Sequence, residues 1–83
     1  MITYKIEEVK SLSKLKFDDM IEGFIIRATY THHVDGIAQF LLERKVNSQW
    51  ICEGVYTSTL RSVKNIINET DLKYLKANHN GNS

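Results

Sequence analysis

The chain has 83 residues, which is the length of one domain rather than two. Eleven Lys and Arg against ten Asp and Glu give a formal net charge of +1 at pH 7. This balance is too even for a strongly basic nucleic-acid binder or an acidic nucleic-acid mimic. The single cysteine, Cys52, excludes an internal disulfide.

The sequence also bears on cofactors and on cellular location. It contains no CxxC or HExxH motif, so we expect no structural zinc and no other cofactor. The polar start Met1–Glu8 lacks the basic region and the long apolar stretch of a signal peptide. No apolar run reaches the roughly 18 residues of a membrane span. The chain is therefore predicted to be cytoplasmic, with no membrane partner.

The first 22 residues combine two patterns. The initial residues alternate between apolar and polar, as in a short strand, whereas Val9, Leu12 and Leu15 recur at helical spacing. Gly23 is typical of the position just after a helix. We therefore predict an N-terminal helix within residues 8–22.

The next part of the chain predicts a β-hairpin. Residues 23–31 and 37–46 are rich in β-branched and aromatic residues that alternate with polar ones. Val34-Asp35-Gly36 between them is typical of a three-residue loop with its glycine in the left-handed region. This loop leaves one face largely apolar and the other largely polar. The opposed pairs are Tyr30 with Phe40, Ala28 with Leu42, Phe24 with Val46, Arg27 with Glu43, and Thr31 with Gln39.

A third strand is predicted after this hairpin. Asn47-Ser48 is a second turn, and residues 49–57 again favour a strand. We expect Trp50, Cys52 and Tyr56 to join the apolar face.

The C-terminal part predicts helices that cover this face. Ser58 is a suitable N-cap, the helix after it is expected to end near Asn68, and Thr70 is suited to cap a second short helix. The apolar stripe of the first helix consists of Leu60, Val63, Ile66 and Ile67. The predicted fold class is thus α+β, a three-stranded antiparallel β-meander with an N-terminal helix and one or two C-terminal helices packed on one face. Residues 1–76 form this single domain, and residues 77–83 are predicted to be a disordered polar tail.

The His32-His33 pair suggests a catalytic hypothesis, because imidazole exchanges protons near neutral pH. The chain here resembles HicA-type toxins, small RNases on an α-β-β-β-α fold like that of double-stranded-RNA-binding domains. These toxins carry a Gly-Ser-His-His stretch on a strand and a Gly-Thr-Leu-Arg start to the last helix. The similar stretches are Thr31-His32-His33 and Thr59-Leu60-Arg61-Ser62-Val63-Lys64, but Tyr30 and Ser58 replace the glycines. The resemblance implies that His32 or His33 cleaves RNA; the alternative is that both are polar residues beside a turn.

A binding protein is favoured over an enzyme. The second face of the meander, which the helices are not expected to cover, is more apolar than a solvated face needs to be. The order of elements is similar to that of some anti-CRISPR proteins, and a composition rich in Ile, Lys and Asn is typical of the AT-rich genomes of low-GC bacteria, phages and plasmids. We therefore hypothesise a small non-enzymatic inhibitor, from a phage or mobile element, that occludes a host defence complex. The alternative is an RNA-binding protein or a HicA-like RNase.

The predicted partner-binding residues lie on this second face and in an acidic N-terminal segment. They are Ile25, Arg27, Leu41, Glu43, Ile51 and Val55 on the face, and Asp18, Asp19 and Glu22 in the segment. The expected partner is another protein or a protein–nucleic acid complex, and a homodimer is a competing use of the same face. Direct binding of nucleic acid is less expected, because acidic residues offset the basic ones there.

Overall fold

The computed structural model describes the backbone of residues 1–81 and the side chains of residues 1–77. Within this part, a five-stranded mixed sheet is followed by one C-terminal helix. The elements are β1 (Thr3–Tyr4), a 3₁₀ turn (Ile6–Glu8), a second 3₁₀ turn (Leu12–Lys14), β2 (Met20–Glu22), β3 (Ile26–Val34), β4 (Ile37–Val46), β5 (Gln49–Ser58) and α1 (Leu60–Gly81). The strands lie in chain order, with β1 parallel to β2 and the other neighbours antiparallel. Among the described residues, no helix is long and apolar enough to span a membrane.

The helix and the N-terminal segment cover one face of the sheet. The covered face, here called the helix-side face, carries Ile21, Ile26, Ala28, Tyr30, Ala38, Phe40, Leu42 and Tyr56. Val63 and Ile67 of α1 are fully buried against it, together with Val9 and Leu15 from the N-terminal segment. The opposite face, here called the open face, carries Met20, Glu22, Arg27, Thr29, His32, Val34, Ile37, Gln39, Leu41, Glu43, Lys45, Trp50, Cys52, Val55 and Thr57. None of these open-face residues is buried.

The predicted meander is confirmed as β3, β4 and β5. Tyr30 pairs with Phe40, Ala28 with Leu42, and Arg27 with Glu43, in the predicted register. The predicted pair of Phe24 with Val46 is wrong, because β3 begins only at Ile26 and the side chain of Phe24 is 63% exposed.

The hairpin loop is shorter than predicted. Val34 pairs with Ile37, so the turn contains only Asp35 and Gly36, with φ values of 52° and 80°. A bulge at Thr31 compensates for the missing loop residue. For this reason the register agrees with the prediction on the side of the bulge that is farther from the turn. On the turn side of the bulge, His32 rather than Thr31 lies opposite Gln39.

A second bulge, in β5, inverts the alternation of side chains along that strand. Leu42 pairs with Gly54, but Glu43 pairs with Cys52, so Glu53 is the extra residue. Gly54 has a φ of 133°, a conformation that residues with a Cβ rarely adopt. The bulge therefore depends on this glycine.

The β5 bulge overturns three sequence-based placements. Trp50 and Cys52 lie on the open face rather than the covered one, because Cys52 pairs with Glu43. Ile51, which we expected on the open face, pairs with Arg44 and shares the helix-side face. Each residue is shifted by one step of the alternation.

The predicted N-terminal helix over residues 8–22 is absent from the described structure. Two single 3₁₀ turns replace it, and the residues after them, Val9 and Leu15, have extended backbones. Apolar side chains three residues apart fit 3₁₀ turns as well as an α-helix. The end of the segment forms β2, where Met20 lies opposite Thr3 of β1.

Of the one or two predicted C-terminal helices, one is present: α1 continues beyond Asn68, and Thr70 does not cap a second helix. Thr59 rather than Ser58 caps the start of α1, since the Ser62 N–H donates to Thr59 Oγ1 at 3.1 Å. The backbone is helical through Gly81, which includes the first residues of the predicted tail. Residues 82–83 lie outside the described residues.

Gly23 allows α1 to approach the sheet closely. A Cβ at this position would lie 2.5 Å from both Asp71 Oδ2 and Ile67 Cγ2. The Asp71 carboxylate accepts the N–H groups of Phe24 at 2.8 Å and Ile25 at 3.0 Å. The second half of the helix is thereby attached to the bend before β3, and Gly23 does not end a helix as its position suggested.

Candidate protein-binding surface

Side chains of the open face form rows that run across the strands. The central row is uncharged and consists of Met20, Thr29, Leu41 and Val55. The next row is mostly charged and consists of Glu22, Arg27, Glu43 and Cys52. Leu41 is partly buried by its neighbours, whereas Val55 is 63% exposed. The sheet therefore presents an apolar strip beside a strip of charges.

The cations of the open face are engaged by neighbouring side chains. Arg27 Nε donates to Glu43 Oε1 at 2.8 Å, and Arg27 Nη1 lies 4.0 Å from Glu22 Oε1. The Arg27 guanidinium lies 4.4 Å from the centre of the Trp50 ring, and Lys45 Nζ lies 5.8 Å from it. A phosphate or a base would have to compete with these contacts.

The structure brings together only part of the predicted site. Of the predicted partner-binding residues, those that share the open face are Glu22, Arg27, Leu41, Glu43 and Val55. Ile25 is only 8% exposed in the bend before β3, so it is not part of an accessible surface. Ile51 is 48% exposed but lies on the helix-side face.

The predicted acidic patch does not form, because Asp19 is buried and only 3% exposed. Its carboxylate accepts the N–H groups of Ile2 at 3.0 Å and Lys16 at 2.9 Å. The bond from the Lys16 N–H is the main reason why the pKa of Asp19 lies below its ordinary value, and the bond from Ile2 acts in the same direction. Asp18 is exposed in the preceding turn, with a φ of 73°. Asp19 thus serves the fold by connecting β1 to the turn before β2.

The two histidines point to different faces, as expected of neighbours on a strand. His32 pairs with Gln39 on the open face, and its Nδ1 lies 3.1 Å from Thr31 Oγ1. His33 lies on the other face, where its Nδ1 is 2.6 Å from the hydroxyl oxygen of Tyr30. Burial raises the pKa of the Tyr30 hydroxyl. The two imidazoles therefore do not converge on one substrate.

A groove of about 690 Å³ lies between the N-terminal segment and α1. Two of its carboxylates serve local structure: Glu8 accepts the Lys5 N–H at 2.7 Å, and Asp71 accepts the Phe24 N–H at 2.8 Å. Among the described residues, no group of His, Cys, Asp and Glu is arranged to hold a metal ion.

Sequence reasoning did not place Met20, Trp50 or Cys52 on the open face. Trp50 was assigned to the wrong face because the bulge was not anticipated. Gly54 was the available signal, since a glycine inside a strand pattern is typical of a bulge. Met20 was missed because β2 was taken for part of a helix.

Comparisons of the chain with models of known protein families, with curated proteins and with solved structures found no match. The functional proposal is therefore drawn from the chemistry of the surface. An apolar centre beside polar and charged residues is the usual anatomy of a protein interface.

Proposed function

We propose that this protein is a binding module that acts by covering the surface of another protein, or of a protein–nucleic acid complex, with its open face. The observation that carries the proposal is the uncovered central row of the sheet, in which Leu41 and Val55 lie beside the Arg27–Glu43 pair. Removing exposed apolar area of this kind from water is favourable, so its burial would stabilise a complex with a partner.

The charges of this face favour a protein partner over bare nucleic acid. Nucleic-acid binding needs cations that are free to replace the counterions of phosphates. Here Arg27 is paired with Glu43 and stacked on Trp50, and Lys45 lies near the same ring. A protein surface with a small apolar centre and mixed charges complements this pattern better.

The finer form of this proposal is an inhibitor. A small domain that covers a functional surface of its partner blocks that surface by occupancy alone. The composition, rich in Ile, Lys and Asn, is typical of AT-rich genomes, which include those of low-GC bacteria, phages and plasmids. We therefore favour a host defence complex as the partner. The order of elements no longer supports the comparison with anti-CRISPR proteins, because the N-terminal helix is absent from the described residues.

The experiment compares partner binding by the wild type with partner binding by two variants of the central row, Leu41→Glu and Thr29→Arg. Immobilised wild type and Leu41→Glu are exposed to lysate of a low-GC bacterium, and captured species are purified and titrated by calorimetry. Leu41→Glu should weaken binding of the purified partner at least tenfold, because it places a charge in the apolar row. Thr29→Arg tests the same row in case Leu41→Glu unfolds, which circular dichroism would show.

The matched control is Leu72→Glu, since Leu72 is 53% exposed on α1, which packs on the other face of the sheet. It should bind like the wild type. The proposal fails if both row variants fold and bind as the wild type does. It also fails if the captured species is RNA whose affinity falls steeply with salt, or if expression arrests growth and His32→Ala or His33→Ala relieves the arrest, as the RNase alternative requires.

A further inference from the structure

The two edges of the sheet differ in length and in protection. One edge is β1, with two residues, whereas the other is β5, with ten. Edge strands of monomers are commonly protected by shortness, by Pro, by charged side chains, especially Lys, or by a bulge that twists the edge away. β5 contains neither Lys nor Pro, its single charged residue is Glu53, and its Ile51 and Val55 are 48% and 63% exposed. Of these features β5 has one bulge and one charge, both at its centre, so the edge on either side of the bulge is open to pairing with another strand.

The hydrogen-bond pattern indicates which backbone groups of β5 face outward. Lys45, an open-face residue of β4, donates its N–H to the Ile25 carbonyl at 2.7 Å. Open-face residues of β4 thus bond towards β3, and helix-side residues of β4 bond towards β5. In β5 the helix-side residues consequently bond to β4. The residues that direct their N–H and C=O groups away from the sheet are Trp50, Cys52, Val55 and Thr57.

The bulge at Glu53 and Gly54 makes the pattern of faces along β5 symmetric. Outward from the bulge in either direction, side chains lie on the open, helix-side, open and helix-side face. A regular foreign strand keeps one unbroken alternation and matches only one half of β5. An antiparallel second copy, with bulge opposite bulge, matches both halves.

We propose that β5 is a self-association edge, at which two copies of this chain pair antiparallel about a two-fold axis between Glu53 and Gly54. Cys52 then lies opposite the partner's Val55, and Trp50 opposite the partner's Thr57, in hydrogen-bonded pairs that use the outward N–H and C=O groups. The two sheets become continuous, which is an isologous interface.

The charge near the proposed axis is compatible with this arrangement. The Glu53 carboxylate of each copy would approach the axis, but Glu53 Oε1 accepts a hydrogen bond from Arg44 Nε of its own chain at 3.0 Å. The net charge of +1 adds little repulsion between copies. The inference does not depend on the function proposed for the open face.

Disulfide cross-linking tests the register directly. In Val55→Cys, the native thiol of Cys52 faces the new thiol of the other copy across a pair about 5.5 Å apart at Cα, which a disulfide can span. Mild oxidation should convert this variant to a covalent dimer. Val55→Cys combined with Cys52→Ser should not cross-link, because its thiols are out of register by three residues, roughly 10 Å. Val34→Cys, with the same number of thiols, controls for random collision.

Light scattering then measures the mass of the reduced protein. The wild type should have twice the monomer mass, and Val55→Lys should be monomeric at the same concentration. Val34→Lys is the matched control, since Val34 and Val55 have similar exposure, 65% and 63%. It should remain dimeric, because Val34 lies in β3 and not on the β5 edge. A monomeric wild type at every concentration, or Val55→Cys that cross-links no faster than Val34→Cys, would overturn the proposal. A dimer broken by Leu41→Glu and not by Val55→Lys would place the contact on the open face and would also overturn it.

Discussion

The helix-side face and the open face belong to the same strands but are stabilised in different ways. On the helix-side face, Phe40 and Ile26 are 0% and 2% exposed, and their burial contributes about 25 cal/mol per Å² of apolar area. On the open face, Arg27 pairs with Glu43 and stacks on Trp50, contacts worth about 1 kcal/mol or less when partly exposed. Substitutions on the helix-side face should therefore change stability, whereas those on the open face should mainly change partner binding.

The largest expected effect comes from a charge placed between α1 and the helix-side face. Val63 is 0% exposed, and an ionised carboxylate there would have no partner. Val63→Asp should cost several kcal/mol, comparable to the whole stability of a small domain, and should abolish cooperative thermal unfolding. Circular dichroism measures this loss.

The matched control is Leu72→Asp, since Leu72 is 53% exposed on the same helix. It should change the free energy of unfolding by about 0.5 kcal/mol or less. Equal melting temperatures for Val63→Asp and the wild type would contradict the packing of α1 described above.

A smaller effect is expected at the buried carboxylate of Asp19. Because its pKa is lowered in the folded state, its stabilisation is present above the unfolded-state value, near 3.8, and is lost as the pH falls through the folded-state pKa. Asp19→Asn should lower the melting temperature at pH 7, and the difference from the wild type should shrink as the pH falls below 3.8. Asp18→Asn should leave the melting temperature unchanged, because Asp18 is exposed and asparagine tolerates its φ of 73°. A difference that persists unchanged in acid would contradict this role.

The smallest expected effect on stability comes from the open face. Arg27→Ala removes the pair with Glu43, whose side chains are 20% and 19% exposed, and should cost about 1 kcal/mol. It also uncovers Trp50, the single tryptophan, so its fluorescence emission should move to longer wavelength. Arg44→Ala, which removes a more exposed pair with Glu53, should leave the emission unchanged. A cost as large as that of Val63→Asp would show that this face is part of the core.

Local patterns predicted the meander and most of the open face, for a physical reason. The turn at Asn47-Ser48 joins strands that are adjacent in the chain, and the short connection sets their register. The positions of Arg27, Leu41 and Glu43 on the open face follow from the alternation of side chains along β3 and β4. Ile25 was misplaced because β3 begins only at Ile26, three residues after the predicted start, and Ile51 was misplaced because of the bulge.

By itself, the sequence determined the three antiparallel strands, the location of the turns between them and the apolar stripe of α1, since each depends on residues close together in the chain. Only the tertiary structure decided that the N-terminal segment adds β1 and β2 rather than a helix. The parallel pairing of Thr3 with Met20 joins distant residues and is supported by the buried Asp19. The tertiary structure also decided the shift at the β5 bulge. Gly54 indicates a bulge in the sequence, but the alternation on either side is locally regular, so the pairing with β4 decides which face each half of the strand presents.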